Sequence, residues 1–174
     1  MSQIKLKRVT NANVYVNGNC LLGRADEVKL PDISTLMTEH KALGMIGKIE
    51  LPSGFDKMEG EIKWNSFHDD VMLQVSNPFK MVTLMIRSDV EEYNAQEGRY
   101  SQKALVTQLN VMFKKNALGT FKQNDNAEFP SNFTCYYAKQ MYDGKDIIEI
   151  DVLANIYSVG GVDQLDVYRN NIGG

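Results

Sequence analysis

Strict alternation of apolar and polar residues is the feature that most restricts how this chain folds. In the stretch KMEGEIKW (57–64), the even-numbered positions are apolar or glycine, whereas the odd-numbered positions are all charged. A period of two places successive side chains on opposite faces of a β-strand. The stretch therefore predicts a strand with one buried face and one polar face.

Turn sequences between such stretches predict antiparallel hairpins. The turn NGN (17–19) separates VYV from CLLGRADEVKL (20–30), and a polar loop separates residues 80–93 from residues 102–115. Asp143–Gly144, a strong hairpin signal, joins NFTCYYAKQMY to a strand predicted over residues 145–157. One stripe of residues on the strand at 102–115 is predicted to be buried: Leu105, Thr107, Leu109, Val111 and Phe113.

Two helices are predicted beside these strands. SFHDDVMLQVSNP (66–78) has Ser66 in position to cap a helix and Pro78 to end it, with apolar residues between them. A short C-terminal helix is predicted at about 162–171, with Gly173 just beyond it. The predicted fold is mainly β, an antiparallel β-sandwich or barrel with one packed α-helix, and residues 1–174 form a single domain.

One segment fits a monomer poorly. Residues 31–54 have no clear period, although they carry several apolar residues. A loop of this length within a domain is usually functional or disordered, and its apolar content argues against disorder. We expect it to project and to be covered by a partner, the alternative being an unrecognised strand in part of it.

The composition excludes several classes of protein. A net charge of −3 with 24% charged residues gives no electrostatic footprint for sequence-specific nucleic-acid binding. No apolar run is long enough to span a bilayer, so no membrane insertion by this chain is expected, and the N-terminal residues are too polar for a signal peptide. Cys20 and Cys135 form no CxxC pair and are expected to be free thiols, with a single long-range disulfide as the alternative.

No motif predicts catalysis, a metal site or a cofactor. His40 and His68 lack metal-ligand spacing, and no Walker loop, GxSxG or GxGxxG is present. Cys135 lies among aromatic residues and is expected in the core, and Glu149 and Asp151 are expected to be solvated charges. The chain is therefore not expected to be an enzyme.

The C-terminal sequence MYDGKDIIEIDVLANIYSVGGVDQLDVYRNNIGG resembles the end of the major tail tube proteins of contractile-tailed phages. The matching elements are DGK (143–145), EID (149–151), GVDQL (161–165) and RNNIG (169–173). VNG (16–18), KLP (29–31) and ALGMIGKIEL (42–51) agree near the N-terminus, whereas residues 80–130 match only in strand character. R-type bacteriocin tube proteins resemble the chain equally, so the sequence does not separate phage from bacteriocin.

The resemblance implies a structural protein whose six copies form a ring, with strands joined into one large β-barrel across the subunits. Stacked rings would form the inner tail tube, which conducts DNA, or acts as an effector or depolarising channel, after sheath contraction. The implied partners are the chain itself, the tail sheath protein, the tape measure protein and the baseplate tube-initiating protein. DNA would pass through the lumen without specific binding. The implied location is the virion tail, with assembly in the host bacterial cytoplasm.

Two sets of residues are predicted to serve this assembly. The inter-subunit candidates lie in the segment 31–54 and the C-terminal segment: Ile33, Leu36, Met37, Leu43, Met45, Ile46, Val162, Leu165, Arg169 and Ile172. A lumen that conducts DNA must not bind it, so its wall is predicted to be acidic or neutral. The lumen-facing candidates are Glu59, Glu61, Glu149 and Asp151.

Three further expectations remain open at this stage. Residues 1–24 carry four basic residues and no acid, and residues 141–174 carry six acids and two bases. The two stretches either meet between subunits or reflect a chance distribution of charge over a solvated surface. A type VI secretion-like tube protein is one alternative to the phage tube, although that class usually lacks this C-terminal sequence. A monomeric ligand-binding β-barrel is the alternative from another class.

Overall fold

A computed structural model describes residues 5–174, and this part of the chain contains twelve strands and two short helices. The strands are β1 (Lys5–Val16), β2 (Asn19–Cys20), β3 (Ala25–Lys29), β4 (Thr35–His40), β5 (Ile49–Phe55), β6 (Met58–Trp64), β7 (Val82–Asn94), β8 (Arg99–Asn116), β9 (Phe129–Tyr142), β10 (Lys145–Asp151), β11 (Ile156–Val159) and β12 (Val162–Asp163). The helices are α1 (Asp69–Val75) and α2 (Asp166–Ile172). The prediction of a mainly β, antiparallel fold is confirmed.

Ten strands form one antiparallel sheet, whose main path runs in the order β12-β11-β10-β9-β8-β7-β1-β2. On the edge of β9 away from β8, β6 pairs with its first half and β10 with its second half. β3 covers the outer edge of β6, and β4 and β5 form a separate hairpin. No closed barrel forms within residues 5–174 of one copy.

The hydrophobic core lies on one face of this sheet and is closed by α1. The alternation in β6 is confirmed, because Met58, Ile62 and Trp64 are all buried. Large side chains fill the centre, and Trp64 donates a hydrogen bond from Nε1 to Ser131 Oγ at 3.1 Å. Gly60 is required by the packing, because a Cβ there would lie 2.4 Å from Cζ of the buried Phe133.

Several predicted elements differ in extent. The segment 31–54 contains the hairpin β4–β5, which lacks a clear period because both of its faces are exposed. β3 pairs with β6 instead of continuing the hairpin after Asn19–Cys20, and β1 begins as early as Lys5. The strand predicted over 145–157 is broken after Asp151 by a turn in which Asn155 has a φ of 53°.

The helices are shorter than the sequence predicts. Ser66 does not cap α1: His68 is the N-cap residue, and its side chain makes no capping hydrogen bond. The predicted apolar face is confirmed, since Val71, Met72 and Val75 are buried. The C-terminal helix begins at Asp166 because residues 162–163 pair with β11, and Gly173 ends it with a φ of 79°. Neither helix has the length and hydropathy needed to cross a membrane.

Candidate assembly surfaces

The hairpin β4–β5 forms an arm (residues 31–55) that leaves the core. Every residue of β4 is exposed, and the tip residues Leu43 and Ile46 are fully exposed. Ile33 and Phe55 at its base pack against the core, and the Phe55 ring lies 4.6 Å from that of Tyr157. The arm is thus a regular β-hairpin held only at its base.

The predicted inter-subunit residues of this segment lie at the base of the arm, on β4 and in the tip loop. Ile33 is half-buried at the base, and Met45 is half-buried in the tip loop. Leu36 and Met37 on β4 are exposed, as are the two tip residues. Uncovered apolar side chains on a projecting hairpin are typical of an interaction surface.

The long strands continue beyond the core as a four-stranded sheet extension (residues 5–12, 87–94, 99–106 and 139–142). These four stretches pair in the order β1, β7, β8 and β9. Within the extension only Val90 is fully buried, and residues 5–12 are exposed on both faces of the strand. A sheet without a covering layer on either face is unusual for an isolated domain.

A polar cluster connects the four strands of the extension. Lys7 Nζ lies 2.7 Å from Glu92 Oε1, and the Tyr142 hydroxyl donates a hydrogen bond to the same oxygen at 2.5 Å. Lys103 Nζ lies 3.7 Å from Glu92 Oε2 and 3.2 Å from a carboxylate oxygen of Asp143. The hydrogen bonds of Lys7 and Tyr142 lower the pKa of Glu92 to about 2. The cluster therefore holds the strands together where no apolar core does.

The outer edge of β1 is uncovered. β2 pairs only with Tyr15 and Val16, and the rest of this edge has no strand partner among residues 5–174. A register shift between Val9 and Asn11 marks a bulge at Thr10. A long open edge presents unpaired N–H and C=O groups that can pair with a strand of another chain.

The four predicted lumen-facing acids lie on one face of the sheet. β6 and β10 are arranged end to end along β9, so the acids follow one another in the order Glu61, Glu59, Asp151, Glu149. Their neighbours on the opposite face include the buried Met58 and Ile150, so this row points away from the core. The structure thus brings the four together on one surface.

Each acid of the row has a partner within the chain. Lys114 and Lys57 pair with Glu59 and lower its pKa below the ordinary value. Glu149 Oε1 accepts a hydrogen bond from the Tyr137 hydroxyl at 2.9 Å. Asp151 Oδ1 accepts backbone N–H bonds from residues 153 and 154, at 3.0 Å each, and so shapes the turn after β10.

The face that carries the row is of mixed charge. Lys63 and Lys139 lie on it, and further along the sheet so do Arg8 and Arg87. Lys139 Nζ is 3.0 Å from a carboxylate oxygen of Asp146, and Arg8 Nη2 is 2.8 Å from Glu91 Oε2. The acids of this face are therefore balanced by neighbouring cations, and the acidic or neutral lumen wall stays a prediction.

The C-terminal segment (residues 156–174) combines polar contacts within the chain with exposed apolar residues. Arg169 donates hydrogen bonds to Asp163 Oδ2 at 2.6 Å and to the carbonyl of Asn155 at 2.9 Å. These bonds fix α2 against the preceding turn. Leu165 is half-buried, whereas Val162 and Ile172 are exposed. No residue of α2 is buried, so this helix covers little of the core.

Three of the four basic residues near the N-terminus are paired within the chain. Lys7 and Arg8 contact acids of β7, and Arg24 Nη1 lies 2.5 Å from Asp70 Oδ2. The pairing of the basic and acidic stretches between subunits stays a prediction. It would require these cations to contact a second acid or to exchange their partners within the chain.

The cysteine and histidine side chains lie in surroundings typical of structural residues. Cys20 and Cys135 are both free thiols, and burial raises the pKa of Cys135 to about 12. Such a thiol is a poor nucleophile at neutral pH. The His68 ring makes a 3.3 Å hydrogen-bond contact with Asn65 Oδ1. In the part of the chain that the structure describes, no cluster of acidic, histidine and cysteine side chains has the arrangement of a metal site.

Sequence reasoning missed one apolar surface beside α1. Phe67, Leu73 and Phe79 are exposed and line one open groove with Met72 and Pro78. Phe67 precedes α1, and Leu73 lies outside the buried stripe of the helix. Apolar residues away from the buried stripe were the sequence signal for this surface.

Comparisons with known proteins identify the family of the chain. The family model described as phage tail tube protein FII matches residues 6–173. The tail tube protein of Escherichia phage P2 is 29% identical over 172 residues, covering 92% of this chain and 94% of that protein.

Solved structures share the fold at low sequence identity. A chain of the PVC sheath/tube terminator, from an extracellular contractile injection system in the extended state, superposes with a TM-score of 0.57 and 13% identity. That match covers 75% of this chain and 92% of the other. A chain of the PVC sheath-tube complex gives a TM-score of 0.56 at 13% identity, covering 75% and 87%.

The family model covers almost all of the residues that the structure describes, and the P2 protein aligns over nearly its full length. The expectation of a contractile tail tube protein is confirmed. The chain belongs to the phage tail tube protein FII family.

Proposed function

We propose that six copies of the chain form a ring and that the rings stack into the inner tube of a contractile tail. After the sheath contracts, this tube conducts DNA or, in a particle without a genome, acts as an effector or depolarising channel. The role is structural and involves no catalytic step.

The strongest support for this proposal is the open edge and the uncovered faces of the sheet extension. Its outer edge at β1 is open and its two faces lack a covering layer, yet β1, β7 and β8 pair along its whole length apart from the bulge at Thr10. Edge-to-edge pairing with neighbouring copies would satisfy the open backbone groups and close the extensions into one barrel. A domain that worked alone would need to protect this edge.

The lumen wall in this proposal is the sheet face that carries the row Glu61, Glu59, Asp151 and Glu149. The core occupies the other face, so closure of a barrel with the cores outside turns the row inward. Because the cations on this face are mostly paired with acids, few are available to neutralise phosphates. DNA would therefore slide without specific binding.

The arm and the C-terminal segment serve as contacts between subunits. Their exposed apolar residues become buried only in the assembly, and we assign the predicted candidates of both segments to these contacts. Arg169 acts indirectly, since its hydrogen bonds fix the position of α2. Contacts of this head-to-tail kind close within a ring and propagate along the tube axis.

The proposed partners are the sheath on the outside, the tape measure protein within the lumen during assembly, and the baseplate tube-initiating protein at one end. The structural neighbours support a sheath partner, since one of them comes from a sheath-tube complex. Assembly would take place in the host bacterial cytoplasm, and the product would be part of the virion tail.

Negative-stain microscopy of the purified protein at increasing concentration tests the proposal. Rings and stacked tubes with a central channel are expected. Dispersed monomers at all concentrations would contradict it and would favour the monomeric β-barrel. Genes for sheath and tail-fibre proteins beside this one would separate a phage or bacteriocin tube from the type VI secretion-like alternative.

Salt dependence tests the charge pairing between subunits separately. Exposed ion pairs are screened over about 8–10 Å at ordinary ionic strength, so tubes held by them should dissociate as salt is raised. If the tubes are equally stable from low to molar salt, apolar contacts dominate the interface. That result would contradict the charge pairing but not the proposed tube function.

A further inference from the structure

The groove beside α1 is a second uncovered apolar surface. Phe67, Met72, Leu73, Pro78 and Phe79 line it and define the α1 groove. The ring of Phe67 packs edge-on against the buried Phe129, with 6.0 Å between centroids. The groove is thus anchored to the core at Phe67.

The groove continues into the loop after β8. Phe121 also packs edge-on against Phe129, with 5.8 Å between centroids, and Leu118 in the same loop is exposed. Phe67 and Phe121 therefore lie around one buried ring. An apolar surface of this extent on a soluble chain is typical of a docking site.

The arm and the groove lie at opposite ends of β6. The arm ends at Phe55, just before the first residue of β6, whereas Phe67 follows its last residue, Trp64. Seven residues of strand separate these ends by about 20 Å. Since the arm packs on the core only through its base, we expect it to contact the groove of another copy instead of its own.

The two surfaces carry one complementary set of charges, although the tip loop of the arm also carries the exposed Lys41. Glu39 and Glu50 lie directly opposite each other on the arm, an unfavourable arrangement for a hairpin alone. Glu39 contacts Lys48, whereas no ion pair involves Glu50 among residues 5–174. Lys80 and Lys122 adjoin the aromatic residues of the groove region and are exposed, although Asp69 also lines the groove.

We propose that the arm of one copy lies in the α1 groove of the next copy along the tube. The tip residues Leu43 and Ile46 would pack against Leu73 and Phe79. Two different surfaces at opposite ends of a subunit make a contact that repeats without closing, as stacking requires. The proposal rests on the proposed function, because it names the acceptor surface for the arm.

Disulfide cross-linking tests this pairing. Cys20 is exposed and is first replaced (Cys20→Ser), whereas the buried Cys135 is retained. One cysteine is placed at the arm tip, at position 43 or 46, and one in the groove, at position 73 or 79, giving four double variants. A disulfide requires Cα atoms within about 7 Å, and the fully exposed Leu43 and Ile46 do not contact the groove of their own copy.

The expected result is a ladder of covalent multimers after mild oxidation of assembled tubes, in at least one of the four variants. The matched control pairs Leu43→Cys with Leu153→Cys, which is also exposed but lies in the turn after β10. No ladder is expected from the control.

Tubes that assemble normally but give no ladder in any groove variant would overturn this proposal while leaving the tube function intact. A ladder in the control alone would overturn it as well and would place the arm against the neighbour's turn after β10. Failure of the unmodified chain to form rings or tubes would instead contradict the proposed function.

Discussion

Replacement of the two arm-tip residues should weaken assembly about 100-fold without destabilising the subunit. Leu43 and Ile46 are 105% and 110% exposed, so they contribute almost nothing to folding of one copy. Full burial of an aliphatic side chain stabilises by about 1.5–3 kcal/mol. The double variant Leu43→Ser/Ile46→Ser should therefore lose about 3 kcal/mol or more per contact, a factor of about 100 in affinity.

The assay compares tube formation by sedimentation with urea unfolding of the unassembled protein. The variant should need about a 100-fold higher concentration to form tubes. Its unfolding free energy should change by about 0.5 kcal/mol or less, as for other exposed positions. Lys41→Ser in the same loop is the control and should assemble normally. Normal assembly of the double variant would refute the role of the arm.

Three further predictions follow from other parts of the molecule. Gly60→Ala should destabilise the subunit by about 1–3 kcal/mol in urea unfolding, because the added methyl overlaps the Phe133 ring; an unchanged midpoint would contradict this packing. A chain ending before Gly160 should retain its circular dichroism spectrum yet form no tubes, and tubes from it would show that the C-terminal segment is dispensable. The pKa of Glu92 is lowered from 4.5 to about 2, so its stabilising effect is complete above 4.5 and is lost as pH falls through about 2. Glu92→Gln should remove that part of the acid-induced loss of stability, and an identical acid profile in both proteins would contradict the role of the cluster.

The core strands were the most predictable part of the fold. The alternation in 57–64 and the stripe from Thr107 to Phe113 describe half-buried strands, where local pattern and burial agree. The turns at Asn17–Gly18 and Asp143–Gly144 were recognisable because each requires residues that tolerate positive φ.

The surfaces used for assembly were harder to predict. β4 and β5 have no alternation, because neither face packs on the core of the same copy. The first half of β1 is likewise exposed on both faces, so its pattern does not distinguish a strand from a loop. The apolar residues of a sequence include those buried within one copy and those buried only between copies. The pattern of a single sequence does not distinguish these two groups.

The candidate residues themselves could be predicted from the sequence, whereas their polar partners could not. Glu59 and Glu149 fall on one sheet face, but their partners Lys114 and Tyr137 come from other strands, β8 and β9, and were not foreseen. Arg169 matched the family sequence, whereas its bonds to Asp163 and Asn155 depend on the turn geometry. Long-range pairing of polar side chains is a tertiary property without a local sequence signal.

An electron cryomicroscopy reconstruction of the assembled protein tests the central claim most directly. The account predicts rings of six copies in which the β1 edge of each sheet extension pairs with a strand of its neighbour. The row Glu61, Glu59, Asp151 and Glu149 should line a continuous central channel. Assemblies in which the β1 edge faces solvent and the sheet extensions remain separate would contradict the account.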